Sequence, residues 1–453
     1  MPRKTNAVIH EPARDVPVIG EYDVCVLGGS CTGVFAAVRA ARLGARVVLV
    51  EKAGCFGGVA TLSLVNVWHS PLDEAFERPI IGGLTLEVMQ RLERRAAVKH
   101  RERSPHWAWA FNPAEMQIEL DELVTEAGVE PMLHTSFVAP YVVDGRLDAA
   151  IVENKSGRGA LRARQFIDAT GDADLCHRLG LETYTAGHLQ PATTCATLSG
   201  WSTLDGFDLG KTMLEHGATL NLPQGFAWGT TIPGSDVYML AGTRIYHTDC
   251  SDAAALTRGE IEGRRQVRAI TDLIRQHAPQ AKVTLQTLPA RIGIRETRHV
   301  RCHHQLTGDE ILHGHRFDDA IANGSYRVDI HHQDKPGITL RYLDGREEYC
   351  CPGQPNQVGR WREETSENPT FYQIPYRSML PRGPFDNVLV AGRMIDADPL
   401  AHAAIRVMVN MNQTGEAAGV AAWQALDSTT AFPALPAATI RKTLAAQGSV
   451  MID

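Results

Sequence analysis

The chain has 453 residues, a formal net charge of −7 at pH 7 and 44% hydrophobic residues, enough for a large buried core and typical of two domains. An acidic balance without a long basic run excludes the pattern of a nucleic-acid-binding protein. No uninterrupted apolar run approaches the length of a membrane span, so we expect no membrane partner.

Residues 1–19 are predicted to form a loose arm, because they contain no apolar core of a signal peptide. The nine cysteines are scattered, and none forms a C-x-x-C pair. This pattern favours reduced thiols over a disulfide framework or an iron–sulfur cluster. We therefore expect a cytoplasmic protein.

The first predicted unit is YDVCVLGGSCTGVFAAVRAARLGARVVLVEK, Tyr22–Lys52, which reads as a buried strand, a glycine-rich loop, a helix and a second buried strand. The loop is typical of the G-x-G-x-x-G turn that binds a dinucleotide, with Ser30 in place of the middle glycine. Serine is small, and its hydroxyl can bind phosphate. Glu51 ends the second strand, where an acid can bind a ribose hydroxyl. The alternative for the loop is an ordinary tight turn. Cys31 within it lies where helix-terminal N–H groups would favour a thiolate, and the alternative for Cys31 is a small buried residue.

A second glycine-rich turn, GCFGGVAT, follows at Gly54–Thr61. Helical spacing predicts helices over 84–97 and 113–127, the latter capped by Asn112. Short alternating runs over 129–166 predict a β-meander inserted in the parallel-sheet fold, and RQFIDATGDADL returns the chain to that sheet.

The remainder divides into a central and a closing part. Residues 187–370 have poorer periodicity, with one long helix over 253–277, and are predicted to form a mixed α+β substrate domain. A buried strand over 387–391 and a helix from about 403 to 422 close the chain. The fold class is therefore α/β, with a Rossmann-like dinucleotide domain from residues 20–186 and 371–428 and terminal extensions at 1–19 and 429–453.

Four motifs, GGSCTG, FGGVAT, ATGDAD and AGR…NQTGEAAG, resemble those of the FAD-dependent oxidoreductase family within the glutathione-reductase-like flavoprotein superfamily. The resemblance implies a dehydrogenase or oxidase that transfers a hydride from a small polar metabolite, anionic or hydroxylated, to flavin N5. A flavin monooxygenase or double-bond reductase and a non-catalytic electron-relay subunit are the alternatives. A second G-x-G-x-x-G and a redox cysteine pair are absent from the sequence, so the electron acceptor stays open, and a homo-oligomer is compatible with the sequence.

Carried over position by position, the family implies a set of cofactor contacts. The glycine loop would bind the pyrophosphate, Glu51 the ribose, the second glycine turn the flavin side, and the AGR segment the phosphates or ribityl chain. The predicted FAD-binding residues are Gly28, Gly29, Ser30, Cys31, Thr32, Gly33, Glu51, Lys52, Gly57, Gly58, Val59, Ala60, Thr61, Val138, Ala169, Thr170, Gly171, Gly392 and Arg393.

Oxidation of a hydroxyl or amine also releases a proton, and histidine suits a base near neutral pH. His69 and His402 are the candidates closest to the flavin motifs, although either could be a packed residue. Arg406, one helical turn from His402, could hold an anionic substrate. If ARIGIRETRHVRCHH is a strand, Arg295 shares a face with Arg291 and His299 and could also clamp an anion. We expect no metal site, since the neighbours His331 and His332 would point to opposite sides of a strand.

Overall fold

The computed structural model of the chain describes residues 8–104, 106–223 and 227–453. Helices and strands alternate along the first part, as the sequence predicts for an α/β fold. The helices are α1 (Cys31–Arg42), α2 (Leu84–Arg94), α3 (Pro113–Glu126), α4 (Asp174–Arg178), α5 (Leu209–His216), α6 (Ala253–His277), α7 (Gly308–Leu312), α8 (Pro399–Ile405), α9 (Met408–Asp427) and α10 (Ala437–Ala446).

The strands form one large sheet and several small ones. They are β1 (Val18–Leu27), β2 (Val47–Val50), β3 (Val67–Trp68), β4 (Val98–His100), β5 (Trp109–Phe111), β6 (Glu130–Met132), β7 (Ser136–Val143), β8 (Arg146–Asn154), β9 (Gly157–Asp168), β10 (Thr183–Thr185), β11 (Ala196–Ser199), β12 (Trp228–Thr231), β13 (Tyr238–Ala241), β14 (Thr284–Thr287), β15 (Arg298–Val300), β16 (Ala320–Gly324), β17 (Val328–His331), β18 (Ile338–Arg341), β19 (Arg346–Cys350), β20 (Gln357–Arg360), β21 (Tyr372–Pro375) and β22 (Val388–Val390).

The large sheet has the order β6-β2-β1-β9-β8-β7, with β22 also paired to β9. β6, β2, β1, β9 and β22 run parallel, and their register aligns Leu27 with both Val50 and Asp168, and Asp168 with Val390. The carboxyl ends of these strands therefore meet at one edge. The GGSCTG, ATGD and AGR turns, which follow β1, β9 and β22, lie there together, where open parallel sheets bind ligands.

The predicted β-meander is present as β7, β8 and β9, with turns at Asp144–Gly145 and before Gly157. It is not a separate sheet. Its third strand continues without interruption into the buried strand that ends at Asp168, so that one strand of 12 residues pairs with β8 at its start and with β22 at its end. The predicted α/β fold with a parallel sheet is confirmed.

Helices α1 and α9 pack in unusually close contact. A Cβ atom on Gly415 would lie 2.1 Å from the carbonyl oxygen of Thr32, and one on Gly419 would lie 2.3 Å from that of Ala36. Beside this contact, Arg39 forms a buried ion pair of 2.5 Å with Glu416. The other oxygen of Glu416 accepts a hydrogen bond from the Leu84 amide at the start of α2. The ion pair therefore connects three helices.

The central part builds smaller antiparallel sheets, of which the largest have the orders β12-β13-β11-β14 and β17-β18-β19-β20. A separate hydrophobic cluster joins Leu198 and Leu240 to Ile270 and Leu273 of α6. The domain boundaries at 187 and 370 stay predictions. Among the described residues, no helix combines the length and the hydropathy that crossing a membrane requires.

Two local predictions are wrong. The predicted helix over 403–422 is divided at Arg406–Val407, because the carbonyl of Ala404 accepts hydrogen bonds from Tyr372 and Asn410 instead of continuing the helix. The predicted strand over 290–304 is regular only at β15; Gly293 before it makes an isolated bridge to Thr193.

We expect Glu416→Gln to lower the free energy of unfolding by about 3–5 kcal/mol, since it leaves the buried Arg39 guanidinium without its carboxylate. The matched control is Glu87→Gln, whose carboxylate is about one-third exposed and pairs with Arg42 and Arg91; its loss should cost less than about 1 kcal/mol. Urea unfolding of the purified proteins measures both changes. Equal losses in the two variants would contradict a special role for the α1–α9 ion pair.

Candidate functional site

A cavity of about 700 Å³ lies at the carboxyl edge of the parallel sheet and extends into the central part of the chain. That volume is typical of small-molecule and cofactor sites. Most of the predicted FAD-binding residues line it, namely Gly28, Ser30, Cys31, Thr32, Glu51, Gly57, Gly58, Val59, Ala169, Thr170, Gly171, Gly392 and Arg393.

The glycine loop after β1 requires its outer glycines. Gly28 has a φ of +103°, and a Cβ on Gly33 would lie 1.8 Å from the Gly28 carbonyl oxygen. Ser30 is the N-cap of α1, yet its hydroxyl makes no capping hydrogen bond. The hydroxyl and the first amides of a 12-residue helix therefore remain available for an anion such as a pyrophosphate.

Cys31 lies inside this loop, where a helix N-terminus could favour a thiolate. Its side chain is buried, and burial raises the pKa of its thiol to about 12. This favours Cys31 as a small buried residue over Cys31 as a reactive thiolate.

Glu51 supports the loop from the end of β2. Its two carboxylate oxygens accept hydrogen bonds from the amides of Gly29, at 2.7 Å, and Ala53, at 2.8 Å. The carboxylate is buried and still lines the cavity. Its position beside the phosphate loop suits the ribose of a dinucleotide, so the loop, the cap and the acid together fit the cofactor that the sequence predicts.

The other predicted cofactor residues do not line the cavity. Four of them belong to the two glycine turns without lining the cavity, namely Gly29, Gly33, Ala60 and Thr61. Lys52 is exposed, and Val138 lies at a bulge in β7, where its carbonyl accepts a hydrogen bond of 2.6 Å from Arg178. FAD contacts from Lys52 and Val138 stay predictions.

Asp172 of the ATGD turn is a residue that sequence reasoning missed. It pairs with Arg393 at 2.5 Å and with Arg291 at 3.3 Å, and accepts a hydrogen bond from the Thr297 hydroxyl. Burial alone would raise the pKa of Asp172, but Arg393 and Arg291 lower it below its usual value. The ionised carboxylate therefore orients both arginines at the cavity wall. Its place in the ATGD motif was the available signal.

The far end of the cavity concentrates positive charge. Arg244, Arg295, Arg327 and Arg406 all line it, with Asp329 among them. Arg406 and Asp329 form an ion pair of 2.9 Å. Arg295 instead donates hydrogen bonds to the neutral oxygens of Pro191 and Thr193.

Within the described part of the chain, no carboxylate oxygen lies within the 4.0 Å ion-pair distance of the Arg295 guanidinium. Burial, together with the nearby Arg406 and Arg244, lowers the pKa of Arg295 to about 9. Arg295 and Arg406 thus both line the cavity, although Arg295 does not lie on a strand, and their role in binding an anionic substrate stays a prediction.

Asp329 and His331 form a pair that faces the same space. They are two residues apart on β17 and therefore share a face of the strand. His331 Nε2 lies 3.2 Å from the Asp329 carboxylate, and Nδ1 is buried without a hydrogen-bond partner among the described residues. Tyr326 donates a further hydrogen bond of 2.8 Å to Asp329.

The protonation states of this pair follow from burial and the neighbouring arginines. Burial lowers the pKa of His331 to about 3, although Asp329 opposes that change. Burial would raise the pKa of Asp329, but His331, Arg406 and Arg327 hold it well below its usual value. A neutral imidazole thus stands beside an ionised carboxylate. The alternation in VDIHHQD was the only sequence signal for this arrangement.

The two histidines predicted as bases occupy different places. His69 lines the cavity against the ring of Tyr326, at a centroid distance of 4.1 Å, and burial followed by Arg327 and Arg406 lowers its pKa to about 3. His402 does not line the cavity. Because α8 ends at Ile405, Arg406 turns toward the cavity while His402 points inward, with its Nε2 3.2 Å from the Arg295 carbonyl. The structure therefore argues against His402 as the base.

Comparisons with known proteins agree with this architecture. A geranylgeranyl bacteriochlorophyll reductase-like protein from Thermoplasma acidophilum superposes over 94% of this chain and 84% of its own, with a TM-score of 0.52 and 12% identity. The p-nitrophenol 4-monooxygenase of Pseudomonas putida superposes over 90% of this chain and 80% of its own, with a TM-score of 0.42 and 11% identity. At 12% identity the likeness to the Thermoplasma acidophilum protein concerns the fold alone.

Mitochondrial dihydrolipoyl dehydrogenase of Schizosaccharomyces pombe is 33% identical over 85 residues, which are 16% of this chain and 17% of that enzyme. The match thus spans less than one-fifth of the relative's length. The family model described as "FAD dependent oxidoreductase" matches residues 23–444, which is nearly the whole chain. Together with the phosphate loop and Glu51, this match shows that the chain belongs to the FAD-dependent oxidoreductase family and that FAD is its cofactor.

Proposed function

We propose that this enzyme oxidises a small anionic metabolite that carries a hydroxyl or an amino group, acting as a dehydrogenase or an oxidase. The observation that carries the proposal is the partly buried Arg295 guanidinium, which lines the cavity and, among the described residues, donates hydrogen bonds to neutral oxygens of Pro191 and Thr193 with no carboxylate at ion-pair distance. A carboxylate or phosphate of the substrate would supply an anionic partner for the Arg295 guanidinium.

The proposed cofactor contacts follow the geometry of the loop. The amides at the start of α1 and the Ser30 hydroxyl bind the pyrophosphate, and Glu51 binds the adenosine ribose. Gly57–Val59 and the start of α9 at Val407–Met408 line the side on which the flavin is expected. Bound FAD supplies the acceptor for the hydride. These contacts support placement in the glutathione-reductase-like superfamily.

Substrate binding is assigned to the arginines. Arg295 is rigidly held by its contacts to Pro191 and Thr193, so its unused donors are oriented before the substrate arrives. Arg244 lines the same space, whereas Arg406 is neutralised in large part by Asp329. The excess of arginines over carboxylates favours an anion over a neutral or cationic substrate.

Removal of the proton from the substrate hydroxyl or amine is assigned to the pair of Asp329 and His331. Asp329 accepts a hydrogen bond from the Nε2–H group of His331. The lone pair on Nδ1 of His331 is therefore not used within the described residues. A base of this kind takes the proton from the substrate hydroxyl or amine as the hydride leaves. The carboxylate fixes the tautomer and stabilises the imidazolium that forms, as it does in other catalytic Asp–His pairs.

We expect Glu51→Ala to weaken FAD binding by about 10- to 150-fold, because a hydrogen bond to a charged group contributes about 1.5–3 kcal/mol. Glu130→Ala is the matched control, since Glu130 is an exposed residue on β6, the strand that pairs with β2. Flavin fluorescence on titrating the apoprotein with FAD gives the two dissociation constants. Unchanged FAD affinity of the Glu51 variant would remove Glu51 from the site.

We expect small hydroxy or amino acids to bleach the flavin absorbance anaerobically, while the matching neutral alcohols and amines do not. Arg295→Gln should raise the KM for an active acid by about 10- to 150-fold through the lost charged hydrogen bond. Arg341→Gln is the control, because Arg341 pairs with Glu347 and does not line the cavity. Reduction by neutral compounds alone would contradict the anionic substrate. Reoxidation of the reduced enzyme by air, with peroxide release, separates an oxidase from a dehydrogenase.

We expect His331→Asn to slow flavin reduction by about 10²–10⁴-fold with FAD retained, which is the usual contribution of a general base. His332→Asn is the control on the next residue of the chain, whose ring contacts Thr339 and does not line the cavity. Stopped-flow absorbance measures the rate constants. Equal rates for the parent and His331 variant would exclude His331 as the base.

The pH profile gives a second check, which separates a base with a strongly lowered pKa, such as His331 or His69, from a histidine with an ordinary pKa. His331 faces Asp329, Arg295 and Arg244. Because its pKa is about 3, its imidazole is neutral throughout the range from pH 5 to pH 8. The rate constant for reduction should therefore stay level from about pH 8 to pH 5. A histidine with the ordinary pKa of about 6.5 would lose about 30-fold over that range.

A further inference from the structure

Three buried side chains converge behind the wall of the cavity. Glu296 lies just before β15, His299 is within β15, and His402 lies on α8; each is at least nine-tenths buried. One potential ligand atom from each lies within 4.8 Å of the other two. We propose that this cluster, which we term the Glu–His–His cluster, binds one divalent transition-metal ion, with Zn²⁺ as the best fit.

The hydrogen bonds of the two imidazoles define which nitrogens are available. His299 Nδ1 lies 3.1 Å from the carbonyl oxygen of Ile395, and His402 Nε2 lies 3.2 Å from that of Arg295. A carbonyl oxygen can only accept, so each ring donates its proton there. This leaves lone pairs on His299 Nε2 and on His402 Nδ1.

Those lone pairs then require a cation. His299 Nε2 lies 3.3 Å from a carboxylate oxygen of Glu296, so two acceptors face each other. His402 Nδ1 is buried and has no hydrogen-bond partner among the described residues. One proton between His299 and Glu296 would satisfy that pair alone and leave His402 unpaired. A metal ion bonded to all three atoms satisfies the whole cluster.

The ligand types select the metal. Two imidazole nitrogens and one carboxylate oxygen are a common ligand set for Zn²⁺, which binds them at about 2.0–2.2 Å and leaves a fourth position open. Oxygen-preferring ions such as Mg²⁺ and Ca²⁺ would not select two histidines. The prediction of no metal site considered only the adjacent His331 and His332 among the histidines, because His402 is more than 100 residues away in sequence from Glu296 and His299.

The surroundings resemble the outer shell of a metal site. Both rings donate to backbone carbonyls, Tyr184 stacks on His299 at a centroid distance of 5.3 Å, and the second oxygen of Glu296 accepts a hydrogen bond of 2.8 Å from the Gln190 amide. Such partners orient ligands before the metal binds. Because the carbonyl of Arg295 is one of them, the ion would fix the segment that presents the Arg295 side chain to the cavity.

The test measures metal in the purified, FAD-loaded protein after incubation with Zn²⁺ and gel filtration, by plasma mass spectrometry. We expect about one Zn²⁺ per chain, and at least a tenfold lower content in Glu296→Gln and in His402→Asn. His304→Asn is the matched control, since His304 also contacts a carboxylate, Glu310 at 3.1 Å, but lies outside the cluster. It should retain the ion.

A measurement without any variant covers the case in which a substitution prevents folding. Co²⁺ added to the chelator-treated parent protein should give visible absorption bands of low coordination number, and Zn²⁺ should abolish them. A parent protein that binds neither Zn²⁺ nor Co²⁺ would overturn the proposal and leave a hydrogen-bonded cluster. So would folded Glu296→Gln and His402→Asn variants that keep the parent's metal content.

Discussion

The close contact between α1 and α9 is the constraint on which the site depends. Gly415 and Gly419 have no side chains to hold the helices apart, so the backbone of α9 lies directly on that of α1. The contact brings the first βαβ unit, which carries the phosphate loop, against the closing segment, which carries Gly392 and Arg393. Together with the pairing of β22 to β9, which brings Gly392 and Arg393 to the edge of the sheet where the phosphate loop lies, this contact gives the cavity walls from both ends of the chain.

The ion pair between Arg39 and Glu416 lies beside this contact and fixes its register more than it adds net stability. Burial raises the pKa of Glu416 even though Arg39 opposes that change, so the attraction offsets only part of the cost of desolvation. The pair is nevertheless costly to break, since either charge alone would remain buried. A slip of α9 along α1 would separate these charges and also force Gly415 and Gly419 out of contact.

The sequence was sufficient where structure is determined locally. The βαβ unit, the Asn112 cap of α3 and the helix over 253–277 depend on neighbouring residues, and all three are present. The division between α8 and α9 depends on Tyr372 and Asn410, which bond the Ala404 carbonyl through contacts that no periodicity encodes. That division sends His402 inward and Arg406 to the cavity.

The segment from Arg291 to His299 shows why the substrate end of the site was harder to predict. On a regular strand Arg295, Thr297 and His299 would share one face. Because the backbone is irregular before β15, Arg295 reaches the cavity, Thr297 bonds Asp172 and His299 contacts Glu296 in the interior. One short segment thus contributes to the arginine pair of Asp172, to the arginine-rich end of the cavity and to the Glu–His–His cluster. A regular strand could not direct its side chains to all three places. Because the backbone is irregular, the same segment contacts Asp172 beside the predicted cofactor residues and also presents Arg295 to the arginine-rich end of the cavity.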